Sequence, residues 1–595
     1  MAKDPAYDIV LGGVGLILAR ANQLQEGARA WKVEVQHNPV SATSENSAKY
    51  GGVGPQVEMP LVWDDLSGGY GSWSDRVERK YHWGYNIDTR FPGLILPGPY
   101  LHVVTIGGTV PVHDFEEHDG KLWVAAGRYV KAIAATTSYT VSSGLDAGSG
   151  KTVTDIEEWK GDLYAGQGFG SGDYLCKHAA GAAVDTWTED NDVQVGYMCT
   201  LYDKMYASVS SYGVAAVAND PMTLGDWTAT YTIGDSSRAI TSLEVLEDEL
   251  YIGKRDGLYG LDSSGIGTML SPELKQYRSP VNCKGMKVWH GTLIVPHLRG
   301  LLQYAGRGDG THSVAPIGPG RSAMADNPIL GHVTAVCGDE KYLYVALWTG
   351  QYNATTGGTT YILAGCFDEK LGAWAWHPLI KFADDKRCDA MFISSLWTVP
   401  HLWMGYGEDA AYIKIPRGVD NPYLDSNSRY ATSGTIRFQR HDLFAPATYK
   451  MWKSVEIEAD NLSPSRYLTV YTRADNGDWV SWGNAYQSPR TKIVFGSEGI
   501  AGKTIELRLD YTMPGNITPI VIRSVVLRAA ERPDSVEMIT AVVRCDDKLR
   551  LRNGGYNRRT GAETWTALRA MLDHSGTVTL KDTLGAENEV LVIAP

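Results

Sequence analysis

Cysteines are few and basic runs are missing, and both facts exclude classes of protein. Seven cysteines are scattered over 595 residues, without a Cys-x-x-Cys pair. The odd number and wide spacing argue against a disulfide framework and predict free, mostly buried thiols in a protein that folds in a reducing compartment. The formal net charge is −13, with no long Lys/Arg run, so the basic footprint of a nucleic-acid-binding protein is absent.

Long apolar runs are also missing. The only stretch that resembles a signal peptide is residues 9–19, and it is too short to span a bilayer. Acidic residues at 4 and 8 offset Lys3, so the basic start of a signal peptide is weak. We expect an apolar strand pair that turns at Gly12-Gly13, and no membrane insertion.

Familiar catalytic and metal motifs do not occur. There is no Gly-x-Ser-x-Gly elbow and no His-Glu-x-x-His zinc site. Residues 144–152 approach a phosphate-binding loop, but Leu145 stands where its first glycine belongs, and a strand-like segment follows instead of a helix. His113 and His118 are close in sequence, but no further ligands stand at metal-binding spacing. We therefore expect no catalytic residue, no metal and no cofactor.

A repeated short motif organises the middle of the chain. Segments such as Leu163-Tyr-Ala-Gly166 and Leu402-Trp-Met-Gly405 recur, with first apolar residues at 122, 163, 205, 250, 293, 343 and 402. The steps between them are 41, 42, 45, 43, 50 and 59 residues. A period of roughly 40 to 50 residues is typical of propeller blades.

Each repeat divides into four short strands separated by turns. The pattern predicts a mainly β fold with a seven-bladed β-propeller over residues 105–418, six or eight blades being the alternatives. The last repeat has only three strands before Pro416. A segment within residues 78–110 is therefore expected to pair with the strands near 392–415 and close the ring.

The long steps place insertions in the fifth and sixth repeats. The second insertion contains Trp348, Tyr352 and Asn353 in a polar, glycine-rich segment. Long loops on a rigid scaffold are common binding sites, and aromatic rings suit stacking on a ligand. These three residues are the candidate ligand-binding site, and a plain hairpin loop is the alternative.

The flanks of the propeller differ in pattern. Residues 1–104 form an irregular N-terminal arm with the closing strand, and 430–533 alternate as a β-sandwich does. Residues 536–595 read as a small α/β domain. Its helix begins at the capping box Thr560-x-x-Glu563 and presents Trp565, Leu568 and Leu572 on one face.

Three stretches resemble tail or baseplate proteins of tailed bacteriophages. They are residues 63–71 with 86–93, residues 518–529, and residues 576–585 with 590–593. The resemblance involves both ends of the chain. It rests on the style of the sequence and the order of the domains, and not on a signature motif. It implies a non-enzymatic virion component that folds in the bacterial cytoplasm, with other tail proteins as partners in a symmetric homo-oligomer.

Under that resemblance, one propeller face would meet a host-surface glycan or protein, and many copies would add avidity. The alternative function is a glycan-cleaving or glycan-binding propeller. Cleavage needs two carboxylates several ångströms apart, and with 68 Asp and Glu the sequence does not exclude a pair.

Overall fold

Tight hairpin turns begin several of the repeats. Asp119-Gly120, Lys160-Gly161 and His290-Gly291 all have positive φ, between 50° and 84°. Two consecutive residues in this region make the turn whose twist matches that of the flanking strands, and glycine adopts it without steric cost. The second strand of each repeat therefore returns directly beside the first.

The computed structural model describes residues 6–590. The gaps in this range are residues 25–28, 38–57, 72–78, 109, 171, 191, 263–264, 272–273, 275–277, 298–299, 307–311, 320–326, 417–420, 448, 497–498, 533–534, 573–577 and 585. The predicted end strand 588–593 lies partly outside the described residues.

Seven sheets of four antiparallel strands follow one another along the chain, and we number them sheet one to sheet seven. The strands of sheets one to three are Val112–His118, Lys121–Ala126, Tyr129–Ala134 and Val141–Asp146; Asp155–Trp159, Asp162–Gly166, Leu175–His178 and Thr188–Asp190; Met198–Leu201, Lys204–Ser208, Gly213–Val217 and Tyr231–Thr232. Those of sheets four to six are Ile240–Leu246, Glu249–Lys254, Gly257–Leu261 and Gly267–Met269; Lys287–Trp289, Thr292–His297, Gly300–Gly306 and His312–Gly318; His332–Gly338, Leu343–Trp348, Thr360–Asp368 and Ala373–Lys381.

Sheet seven is completed from a distant part of the chain. Its strands Met391–Ser394, His401–Tyr406 and Asp409–Lys414 are joined by His102–Val104. In this pairing Ala410 stands opposite Val104 and Tyr412 opposite His102. The predicted closing segment within residues 78–110 is confirmed.

The first strands of the sheets form the inner side of a ring. The first strand of each sheet contacts the first strand of the next, and that of sheet seven contacts that of sheet one. The second strands are buried almost throughout, as in Lys121–Ala126 and Leu343–Trp348. Neighbouring sheets cover both of their faces, which explains the apolar runs at the centre of every repeat. The mainly β, propeller-like fold is confirmed.

Two larger sheets combine strands that follow the ring in sequence with one strand each from before it. One has the order Val480–Ala485, Tyr467–Ala474, Ile505–Thr512, Ser433–Arg437 and Trp83–Tyr85. The other has the order Glu58–Trp63, Val521–Arg532, Tyr449–Asp460 and Arg490–Val494, with Ile500–Gly502 also paired to Tyr449–Asp460. Buried and exposed residues alternate along Tyr449–Asp460, as the sequence pattern predicts for strands with one buried face. A separate two-stranded sheet pairs Ile87–Asp88 with Leu96–Pro97.

Residues 1–57 and 531–595 together form a compact unit, and residues 58–530 form another. In the first unit, the hairpin Ile9–Leu11 and Val14–Leu16 turns at Gly12-Gly13, as predicted, and joins Val578–Lys581 and Glu587–Val590 in one sheet. Trp31–His37 pairs with Ser535–Ala541. The N-terminal arm predicted over residues 1–104 is thus divided among several sheets, most of which it shares with later sequence.

The helix of this unit, Gly561–Leu572, has the predicted cap. The Thr560 N–H donates to Glu563 Oε2 at 2.8 Å, and the Glu563 N–H donates to Thr560 Oγ1 at 3.2 Å. Leu568 is buried, but Trp565 is 47% exposed. The prediction for Trp565 was wrong, because the helix buries Thr564 and Leu568 instead.

The fold also bears on the loop near residue 150, on the cysteines and on helix length. The segment 144–152 that approaches a phosphate-binding loop begins in the last strand of sheet one and continues into the connection 147–154, which leads into a strand of sheet two. All seven cysteines are free, and five are buried. Among the described residues, no helix has the length and apolar character that crossing a membrane requires. Short 3-10 helices lie at Ala21–Gln23, Leu224–Asp226 and Pro422–Leu424.

Candidate functional site

The predicted binding loop, residues 349–359, lies between the second and third strands of sheet six. Trp348 ends the second strand and is fully buried. Its Nε1–H donates to the Gln351 carbonyl at 3.0 Å, and Gly350 and Gly358 pack so closely on its ring that a Cβ at either would clash. The indole therefore anchors the loop, and its face is not available for stacking on a ligand.

Tyr352 and Asn353 are exposed on the same loop. Arg387, itself buried, donates from Nη1 to the carbonyls of Tyr352 at 2.7 Å and of Ala354 at 3.0 Å, and from Nε to Asp389 at 2.9 Å. The backbone of the loop is thus fixed while two of its side chains face outward. Their ligand-binding role stays a prediction.

A second candidate lies along the inner strands of the ring, and we call it the inner acid cluster. Its members alternate along the first strands of sheets one, two and four, and a lysine of sheet five lies among them. They are Asp114, Glu116, Asp155, Glu157, Glu244 and Lys287. The Lys287 Nζ lies 4.0 Å from Glu244 Oε2, and its side chain is half exposed although it faces acids from three other sheets. This combination places the cluster around a solvent-accessible centre of the ring.

Two acids of the cluster connect neighbouring sheets. Asp114 Oδ2 accepts from the Ile156 N–H of sheet two at 3.0 Å, and Asp155 Oδ2 accepts from the Met198 N–H of sheet three at 2.5 Å. Burial raises the pKa of Asp155 well above its ordinary value, and the charge of Asp114 and a hydrogen bond to it add to the effect. A proton shared between these carboxyls would join sheets one and two through their side chains.

The pKa values of two glutamates of the cluster, Glu116 and Glu157, are raised by different amounts. Burial, and then the charges of Glu157 and Asp114, raise the pKa of Glu116 to about 9. Burial raises the pKa of Glu157 to about 7, while a hydrogen bond to Thr200 and the charge of Lys287 oppose the rise. A protonated carboxyl beside an ionised one is the arrangement required for general acid–base chemistry. In the described part of the chain, no group of histidine, cysteine or acidic residues has the geometry of a metal site.

A third candidate is a cavity of about 580 Å³ between sheets six and seven. Its lining comes from residues 338–342 of sheet six, residues 413–416 at the end of strand Asp409–Lys414, residues 427–430, and residues between 88 and 102 of the N-terminal segment. Arg90, Lys341, Lys414 and Arg429 contribute positive charge to it, and Tyr100 and His102 contribute rings. This volume is that of a small-molecule site.

No family model and no curated protein matches this chain. Among solved structures, it is similar to a streptogramin B lyase, with 10% identity, a TM-score of 0.38, and coverage of 53% of this chain and 97% of that one. It is similar to the extracellular domain of the putative hybrid two-component system BT4673 from B. thetaiotaomicron, with 12% identity, a TM-score of 0.40, and coverage of 69% and 60%. It is also similar to Sqt1 of Saccharomyces cerevisiae, with 10% identity, a TM-score of 0.37, and coverage of 54% and 100%. At these identities the likeness concerns the fold alone.

The sequence carried a signal for the inner acid cluster. Asp114 and Glu116 stand two residues apart in sheet one, and Asp155 and Glu157 repeat the spacing 41 residues later, at the period of the repeat. Residues two apart on a strand share a face, so the repeat period could have placed the four acids together. The cavity had no such signal, because its walls come from segments more than 200 residues apart.

Proposed function

We propose that this chain is a structural component of a bacteriophage tail or baseplate, built on a seven-bladed β-propeller that serves as an assembly scaffold and in host-surface attachment. A β-sandwich and a small α/β domain flank the propeller. Its partners are other tail proteins and further copies of itself in a symmetric assembly, and its location is the virion.

The observation that carries this proposal is the way distant segments complete each other's sheets. His102–Val104 closes sheet seven, Glu58–Trp63 pairs with Val521–Arg532, and Trp31–His37 pairs with Ser535–Ala541. Such pairing joins the ends of each unit and suits a part that holds its shape in an assembly. Seven free cysteines suit folding in a reducing cytoplasm.

Attachment would use the loops on one face of the ring. The loop that carries Tyr352 and Asn353 has a fixed backbone and exposed side chains. Single contacts of this kind are weak, and many copies around a symmetry axis would convert them into firm adhesion.

Mass spectrometry of purified phage particles, together with mass photometry of the isolated chain, tests the proposal. We expect the full-length chain in particles at a fixed copy number, and an oligomer in solution. Its absence from particles made by the same host would refute the virion role.

A second function, glycan cleavage, is supported by the inner acid cluster. Glu116 would be the proton donor and Glu157 the ionised partner, as glycoside hydrolysis requires. The test is incubation of the soluble chain with an oligosaccharide panel. Shortened products that disappear with Glu116→Gln would favour the hydrolase, and an intact panel would reject it.

A further inference from the structure

The cavity between sheets six and seven contains a guanidinium that is fixed in place but only partly paired. Arg90 donates from Nε to Asp88 Oδ1 at 2.9 Å and from Nη2 to Asp88 Oδ2 at 2.8 Å. Its guanidinium lies over the Tyr342 ring, 4.6 Å from the centroid. Among the described residues no acceptor lies on Nη1. This nitrogen and the second proton of Nη2 can donate to a ligand in a fixed direction.

Two more cations of the lining have no acidic partner in the described part of the chain. Lys414 ends the last strand of sheet seven. Arg429 donates from Nη1 only to the backbone carbonyls of Ser426 at 2.9 Å and Ser428 at 2.8 Å. Both lie close to His102, whose pKa is lowered first by burial and then by these two charges. They therefore gather on one wall of the cavity.

The lining has three acids; Asp339 and Asp88 accept structural hydrogen bonds, and Glu340 is exposed. Asp339 accepts from the N–H groups of Lys341 and Tyr342, at 2.7 Å and 2.6 Å, and from the Tyr344 hydroxyl at 2.8 Å. Asp88 is held by Arg90. Four cations line the cavity against three acids, so its lining carries a net positive charge in a protein whose own net charge is −13.

The size and the remaining lining select the kind of anion. A cavity of about 580 Å³ is much larger than a simple inorganic anion. Asn427 and Ser428 add groups that can bond hydroxyls, and Tyr100 stands edge to face with His102 at 4.9 Å. His102 is itself stacked on Tyr412 at 4.9 Å, so the half-buried Tyr100 is the ring that can contact a ligand. A ring beside polar groups suits a saccharide, whose carbons contact aromatic rings while its hydroxyls form hydrogen bonds.

We propose that this cavity binds a short acidic saccharide, with its carboxylate against Arg90, Lys414 and Arg429 and a sugar ring against Tyr100. The inference deepens the proposed attachment function, on which it rests, by naming the ligand class. It assigns ligand recognition to the cavity between sheets six and seven, in addition to the exposed loop that carries Tyr352 and Asn353.

Isothermal titration of the full-length chain with trigalacturonate tests the proposal, with the fully methyl-esterified trimer as the uncharged counterpart. We expect the acid to bind at least about tenfold more tightly than the ester, the difference that one charge-assisted hydrogen bond supplies. The variant Lys414→Gln should weaken acid binding about tenfold and leave ester binding unchanged. Lys204→Gln, the same change at an exposed position of sheet three, should alter neither.

Other results would overturn the inference. Equal affinity for acid and ester would remove the role of the cations, and equal binding of inorganic phosphate would reveal a plain anion site. Failure of both trimers to bind would reject the saccharide. If Lys414→Gln does not fold, Arg429→Lys keeps the charge but shortens the reach, and its acid affinity should fall in the same way. The titration needs no virion, so it can fail while the chain is found in particles, and the two failures are distinguishable.

Discussion

Glu116 gives a test of the ring's electrostatics, because its pKa of about 9 makes the folded ring bind a proton that the unfolded chain releases. An acid with a raised folded-state pKa contributes stability that is fully present below its ordinary value of 4.5 and is lost as pH rises toward 9. The perturbation is Glu116→Gln, which keeps the shape of a protonated glutamate and cannot ionise.

The magnitude follows from the pH interval. From the ordinary pKa of 4.5 to pH 8 is about 3.5 pH units, and over each unit the unfolded chain gains about 1.4 kcal/mol relative to the folded one. The destabilisation that Glu116 causes at pH 8 is therefore at most about 5 kcal/mol. At pH 5 the corresponding cost is below about 1 kcal/mol. Solvent at the centre of the ring screens part of this electrostatic destabilisation. We therefore expect Glu116→Gln to be about 2 kcal/mol more stable than the parent at pH 8.

Differential scanning calorimetry at pH 5 and pH 8 measures the difference. The melting temperature of the variant should exceed that of the parent by about 2 °C at pH 8 and by less than about 1 °C at pH 5. Glu189→Gln, at an exposed position of sheet two, should give the same small shift at both pH values. Parallel behaviour of the Glu116 variant and the parent would refute the assignment of a proton to this carboxyl.

Three other substitutions test separate parts of the fold. Glu506 is buried between two arginines, so Glu506→Ala should cost about 3 to 5 kcal/mol, seen as a lower urea midpoint, and a change below about 1 kcal/mol would contradict the pairing. Val103→Pro should open the closing strand and speed amide hydrogen exchange across Asp409–Lys414, whereas Val103→Thr should not, and unchanged exchange in the proline variant would argue against closure. Trp348→Ala should cost about 3 to 5 kcal/mol in thermal unfolding and expose its loop to protease, whereas Tyr352→Ala should leave both unchanged; equal effects would contradict the anchor.

The repeat predicted the ring because each propeller-like sheet is formed almost wholly by consecutive residues. The apolar second strand and the turn before it recur with the period, and Lys160-Gly161 is visible as a turn without any structure. The missing fourth strand after Pro416 even pointed to closure from the N-terminal side. What could be predicted was local in sequence.

What could not be predicted depends on distant partners. Trp348 looked like a binding residue because its neighbours are polar, but tertiary packing buries its ring beneath two glycines. Trp565 lay on a plausible apolar face, but the helix turned Thr564 and Leu568 inward. Helical spacing alone fixes which residues share a face and leaves open which face the neighbouring sheet covers.

The closing strand also has a consequence for synthesis on the ribosome. His102–Val104 leaves the ribosome about 300 residues before its partner Asp409–Lys414. At the usual 5 to 20 residues per second, the earlier segment waits roughly 15 to 60 s for that partner. Six sheets can form during this delay, but the ring cannot close. Until it does, His102–Val104 and then Asp409–Lys414 present unpaired strand edges, to which another unfinished copy could pair, so dense polysomes are where misassembly would begin.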